Sequence, residues 1–78
     1  EPIVALNGGR DGLDLIKKVI YKSTNLIKKN GLLILEIGYN QYQKVLDILK
    51  KQRFKEIGKE YDYNSNVRCI ISTKASFF

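Results

Sequence analysis

Few of the 78 residues carry side chains able to do chemistry, and their types narrow what that chemistry can be. There is no histidine and a single cysteine, Cys69. An intrachain disulfide and a zinc-type ligand cluster are therefore excluded, and no metal site is expected. With no histidine to activate it, Cys69 reads as a small buried hydrophobe and not as a nucleophile. Glu36 stands inside the apolar run Leu32–Ile37. A carboxylate placed there is costly unless it is hydrogen-bonded or paired, so it either orients a neighbouring group or satisfies a structural hydrogen bond. Asp62 and Arg68 flank a polar turn and could pair across it, a structural contact below about 1 kcal/mol if exposed. Near the beginning, Gly8 and Gly9 permit either a close approach of substrate backbone or simply a turn. Asp11 has the place of a helix cap, and Glu1 could brace a loop or form an ordinary turn ion pair.

Charge is the other chemical resource. The formal net charge is +6, with eleven lysines against three arginines. The lysines fall in pairs along two helix-like segments (Lys17-Lys18, Lys28-Lys29, Lys50-Lys51) and are not interleaved with aromatics. That pattern usually marks solvated helix faces, with a weak RNA contact as the lesser reading. No apolar stretch approaches the roughly 20 residues of a membrane span. A lone cysteine suits a reducing compartment, so a cytoplasmic location and no membrane partner are expected.

These residues must be positioned by regular elements. Residues 1–12 read as irregular, with Gly8, Gly9 and Gly12 in one window. From Leu13 to Lys29 apolar residues recur at three- and four-residue spacing, which predicts a helix stopped by Asn30-Gly31. Leu32–Ile37 is apolar on both faces and reads as an interior strand of a parallel sheet. Asn40 and Gln43 have capping-box spacing ahead of a second helix with Tyr42, Val45, Leu46 and Leu49 on its apolar face. Two strands follow, near 54–61 and 67–73, joined by Asn64-Ser65-Asn66 and hence antiparallel. The expected class is α/β, in the order helix, buried strand, helix, hairpin. So short a chain has too little material to cover both faces and both edges of the Leu32–Ile37 strand. It has no methionine and begins Glu1-Pro2-Ile3. Residues 1–78 are thus expected to be one partial domain, with 74–78 as a tail or boundary, marginally stable or self-associated in isolation.

Three local words are more specific than that order. Glu1-Pro2, Ala5-Leu6, Gly8-Gly9 and Asp11-Gly12-Leu13-Asp14 resemble the E-P-x-x-A-L-x-G-G-x-D-G-L-D loop of the protein-(glutamine-N5) methyltransferases that modify peptide chain release factors. Gly31, Leu33-Ile34-Leu35-Glu36-Ile37-Gly38 and Gln41 are similar to that family's G-x-L-L-x-E-I-G-x-x-Q segment. Asp62-Tyr63 and Arg68 resemble its D-[LY]-x-x-x-x-R hairpin. The words cover positions 1 to about 73 in order. Two departures stand out. Arg53 occupies a place where the family often has glycine, which puts a tight turn in doubt, and the tail from Lys74 to Phe78 matches nothing in the pattern.

The resemblance implies the C-terminal portion of a Rossmann-like class I methyltransferase sheet whose last strand is inserted antiparallel. It implies S-adenosyl-L-methionine as methyl donor, release factors as protein substrate, and the glutamine of their Gly-Gly-Gln motif as target. Such a transfer requires the sulfonium methyl to be held in line with an oriented amide nitrogen. The family's cofactor loop, its ribose-binding acid and its N-P-P-Y amide clamp are not spelled in this sequence. The chain therefore offers no direct catalytic or cofactor ligand. Glu1, Gly8, Gly9, Asp11 and Glu36 remain as residues beside the substrate loop or supporting it, Glu36 by orienting the N-P-P-Y loop. Two other readings are an N-P-P-Y-type methyltransferase of rRNA or DNA amines and a small basic RNA-binding module. The E-P-x-x-A-L and D-G-L-D words count against the first, and the doubly apolar strand counts against the second.

Overall fold

A computed structural model of the chain describes residues 12–28 and 30–74 together with the backbone course of residues 3–7. Strand β1 is Ile3–Asn7, helix α1 Gly12–Leu26, β2 Leu32–Glu36, α2 Tyr42–Lys51, β3 Phe54–Tyr61 and β4 Val67–Lys74. The α/β class and the order helix, strand, helix, hairpin are as the sequence predicts. The first strand is a correction: residues 3–7 are extended, not irregular, because they pair with β2 in register Ile3↔Leu32 to Asn7↔Glu36.

The sheet order is β1-β2-β4-β3. β1 and β2 run parallel, and β4 lies between β2 and β3, antiparallel to both. Among the described residues only the β1–β2 pair is parallel, so β2 is an interior strand of a mixed sheet. Both of its edges are paired within the chain, contrary to the expectation that 78 residues could not supply both partners. β3 is irregular, with register shifts between Glu56 and Gly58 and again between Glu60 and Tyr61.

The faces of β2 also differ from expectation. Leu33 and Leu35 are fully buried while Leu32 and Ile34 are half-buried and Glu36 is exposed. The core gathers Ile16, Ile20 and Ile27 with Leu33, Leu35, Ile37, Val45, Leu49, Phe54 and Ile70. Burying a Leu or Ile side chain is worth about 1.5–3 kcal/mol, so this one-sided layer holds the helices to the sheet. Across the sheet, Ile34 faces Ile71 on the side that the core does not use.

Local chemistry sets the helix ends. α1 stops at Leu26, three residues short of the predicted end. Asn30 takes a left-handed φ of 70°, and the Gly31 N–H donates to the Lys28 carbonyl at 2.8 Å. The last turn of α1 contains no basic residue. The cation that complements its dipole is Lys74 of β4, whose Nζ donates to the Thr24 carbonyl. At α2 the capping box between Asn40 and Gln43 does not form. Gln43 Nε2 reaches Asp47 Oδ1 instead, at 3.3 Å.

Candidate functional site

In open α/β sheets ligands bind at the carboxyl ends of the parallel strands. Here that end is marked by Asn7 of β1, Glu36 of β2 and, running the other way, Cys69 of β4, which lie side by side in the register. Glu1, Gly8, Gly9 and Asp11 lie outside the described residues. So does the proposed helix cap by Asp11; of the expected tail 74–78, Lys74 instead closes β4, and the remainder lies outside the described residues. Of the five residues expected beside or supporting the substrate loop, Glu36 alone is described, and its side chain is exposed at the tip of β2. The premise that it sits buried in an apolar strand is therefore corrected. It occupies the strand's last position, where the ladder gives way to the loop, so desolvation does not dictate its presence.

The segment after Glu36 is built closely. Ile37 is buried, and its N–H donates to the Arg68 carbonyl at 2.9 Å. Arg68 returns a second bond, Nε donating to the Ile37 carbonyl at 3.0 Å. Its Nη1 lies 3.4 Å from Asp62 Oδ2. Asp62 in turn uses Oδ1 to accept from the backbone N–H groups of Asn64 (2.8 Å) and Asn66 (3.0 Å). Those bonds hold the Asp62 carboxyl below the ordinary carboxylate range, the Asn66 N–H contributing most. The pairing expected between Asp62 and Arg68 is present. Its geometry adds what spacing alone could not say: the hairpin turn is tied through Arg68 to the end of β2.

One residue at this end was missed as a structural device. Gln41 Oε1 accepts from the Gly38 N–H at 2.8 Å, and a Cβ on Gly38 would stand 3.3 Å from the Gln41 side chain. The G-x-x-Q spacing thus encodes a loop clasp, and a side chain at Gly38 would have to push the Gln41 side chain back by a few tenths of an ångström. The signal was legible in the sequence as Gly38 and Gln41 but was assigned to resemblance only. Tyr39, Tyr61 and Tyr63 also belong to the β2 loop and the hairpin, and all three are exposed.

Cys69 is half-buried beside Glu36. Burial, then the nearby Glu60 and Glu36 carboxylates, push its thiol pKa up, which disfavours the reactive thiolate. Among the described residues no cluster of His, Cys, Asp and Glu suits a metal ion, and no helix is long and apolar enough to cross a membrane.

Among the described residues, those at the sheet's carboxyl end and in the helix groove do not fit an S-adenosylmethionine site. Arg68, Asp62 and Gln41 are committed to holding the hairpin and the β2 loop. The groove between the helices is lined by Lys17, Lys18 and Lys51, which would repel a sulfonium cation.

Comparison with known proteins follows the three sequence words. The chain is 34% identical over 74 residues to a release factor glutamine methyltransferase of Clostridium acetobutylicum, covering 95% of the chain and 26% of the relative. It is 39% identical over 75 residues to the release factor glutamine methyltransferase of Fusobacterium nucleatum, covering 96% of the chain and 21% of the relative. A ribosomal protein uL3 glutamine methyltransferase of Francisella tularensis is 48% identical over 42 residues, or 54% of the chain and 13% of the relative. The chain thus spans about a quarter of the length of the first of these relatives. No protein-family model matches, and no solved structure matches.

Proposed function

The chain belongs to the release factor glutamine methyltransferase family, and on that premise we propose that it forms the C-terminal part of an S-adenosyl-L-methionine-dependent methyltransferase. The proposed reaction is methylation of the glutamine amide nitrogen in the Gly-Gly-Gln motif of peptide chain release factors, in the cytoplasm. The observation that carries the reading is the meeting of the three words at one end of the sheet. The first word supplies β1, which ends at Asn7 beside Glu36, the second closes β2 at Glu36–Gln41, and the third ties the hairpin to Ile37 through Arg68. A constellation of that kind positions a neighbouring loop; it does not itself react.

The chain's proposed share of the work is support. The cofactor and the target amide are held by parts of the enzyme outside it, and this chain alone is inactive. Glu36, at the tip of β2, orients the amide-gripping loop, with Glu1, Gly8, Gly9 and Asp11 bordering the same space. The seven-stranded methyltransferase sheet is the frame in which β2 and the inserted antiparallel β4 belong.

The test uses the full-length enzyme, a release factor and methyl-labelled S-adenosylmethionine. Label should enter the wild-type release factor and be lost when the glutamine of its Gly-Gly-Gln motif is replaced. Label that persists after that replacement, or never appears, sinks the proposal. The 48% match to the uL3 enzyme over 42 residues favours one second reading, a ribosomal-protein glutamine as target. Running ribosomal protein uL3 beside the release factor separates the two.

A further inference from the structure

The outer surface of the helical layer carries a groove of about 440 Å³ between α1 and α2. Its lining is Lys17, Lys18 and Tyr21 from α1, and Ile48, Lys51 and Gln52 from α2 and its C-cap. Ile48 is half-buried and packs against the core, so it is a firm apolar wall. Tyr21 stands 64% exposed, its ring available along the groove. The three lysines form the rim. Asp14 and Asp47 precede Lys17 and Lys51 by about one helical turn, yet neither forms an ion pair with them. Lys59 pairs with Glu56 and Arg68 with Asp62, both on the hairpin.

Three uncompensated ammonium groups around an apolar wall specify two chemistries at once. Laying purely apolar surface over this groove would desolvate the lysines with nothing to pair them, which is unfavourable. A bare polyanion would satisfy the lysines and leave Ile48 and the Tyr21 ring unused. Nucleic acid is further disfavoured by the all-lysine rim. Bidentate recognition of phosphates favours arginine, which the groove lacks, and tracking a strand by stacking needs a run of aromatics where the groove offers Tyr21 alone. We infer that the α1–α2 groove docks an acidic polypeptide segment, an apolar side chain lying against Ile48 and Tyr21 while flanking carboxylates meet Lys17, Lys18 and Lys51. The surface lies apart from the carboxyl end of the sheet, so this binding is independent of the methyl-transfer reading.

The test is fluorescence anisotropy with the full-length protein and a labelled peptide alternating glutamate and leucine. An oligoglutamate of equal charge and a single-stranded oligonucleotide serve as comparisons. The mixed peptide should bind about tenfold or more tighter than oligoglutamate. An exposed ion pair is worth roughly two- to fivefold in affinity, so Lys17→Glu with Lys51→Glu should weaken the peptide by about tenfold or more. Tyr21→Ser, at an exposed position that spares the core, should weaken the mixed peptide several-fold and leave oligoglutamate unchanged. Circular dichroism of each variant checks that the fold is kept. Three results overturn the inference: no peptide binding, oligonucleotide binding as tight as the peptide's and indifferent to Tyr21→Ser, or peptide binding unmoved by the charge reversal.

Discussion

Arg53 offers a sharp test of the backbone. α2 ends at Lys51, and Phe54, two residues beyond the Gln52 cap, must already be buried as the first residue of β3. The chain makes that reversal by putting Arg53 at φ 67°, with its N–H donating to the Lys50 carbonyl at 3.0 Å. The tight turn that the missing glycine put in doubt is therefore kept, and an arginine occupies a conformation that suits glycine. A residue with a Cβ loses about 1–2 kcal/mol in the left-handed region. Glycine gives back about 0.4–1 kcal/mol through the greater freedom of the unfolded chain. The remainder is about 1 kcal/mol. The arginine side chain also makes its own interaction, so the clean comparison is between Arg53→Gly and Arg53→Ala, both of which remove it. Arg53→Gly should exceed Arg53→Ala in stability by about 1 kcal/mol, or about 4–8 °C in Tm for a domain of this size. Thermal and urea denaturation of the two variants under matched conditions measure it. Equal stabilities, or a more stable alanine variant, would falsify the left-handed assignment and the turn built on it.

Other expectations are read at separate places. Tyr42 Oη donates to the Glu56 carboxylate at 2.9 Å and accepts from Lys59 Nζ at 3.1 Å, which holds the Lys59 pKa up. Tyr42→Phe should thus cost about 0.5–1.5 kcal/mol in urea denaturation, and an unchanged midpoint would show that the helix–hairpin link is idle. Asp62 has a folded pKa below its ordinary value of 3.8, so its stabilising share is complete above that value and is lost as pH falls through the folded pKa. The Asn64 and Asn66 amide shifts should titrate with a midpoint below 3.8 and cease to titrate in Asp62→Asn; a midpoint above 3.8 contradicts the hydrogen-bond account. In the full-length enzyme, Glu36→Gln should reduce turnover roughly tenfold or more while moving stability by under about 0.5 kcal/mol, as befits an exposed residue. Parallel loss of both would leave Glu36 a structural role only.

How much of this was legible in advance differs from element to element. α2 and the two hairpin strands announced themselves because their signals are local: apolar spacing in one case, and in the other two β-rich runs around Asn64-Ser65-Asn66. β1 did not. Ile3–Asn7 is short and followed by glycines, and it becomes a strand only through β2, which lies 29 positions later in register. The end of α1 was placed too late because the apolar stripe continues through Ile27, which is buried although it lies beyond the helix. At the candidate site, Asp62 and Arg68 could be paired from their spacing. The bond from Arg68 to Ile37 could not, since it depends on which strand neighbours β4. Glu36 was placed near the carboxyl end of its strand, but its apolar neighbours made it read as costly to bury, whereas at the strand's last position its side chain is exposed. The lysine pairs looked like separate solvated faces. Only the packing of α1 on α2 brings Lys17, Lys18 and Lys51 around one groove.

The irregular register of β3 has a consequence for how the sheet can grow. β3 forms one flank, and it carries Lys55, Glu56, Lys59 and Glu60 on a strand whose register against β4 shifts twice. Charges and irregularities on an outer strand discourage another backbone from docking alongside it. The opposite flank is β1, whose Ile-Val-Ala-Leu-Asn sequence has neither a charge nor a proline to deter a partner. The sheet is thus guarded on one side and receptive on the other. Any additional strand, whether from the same polypeptide or from a second one, should be recruited beside β1, and a charge introduced there should affect assembly more than the same charge added to β3.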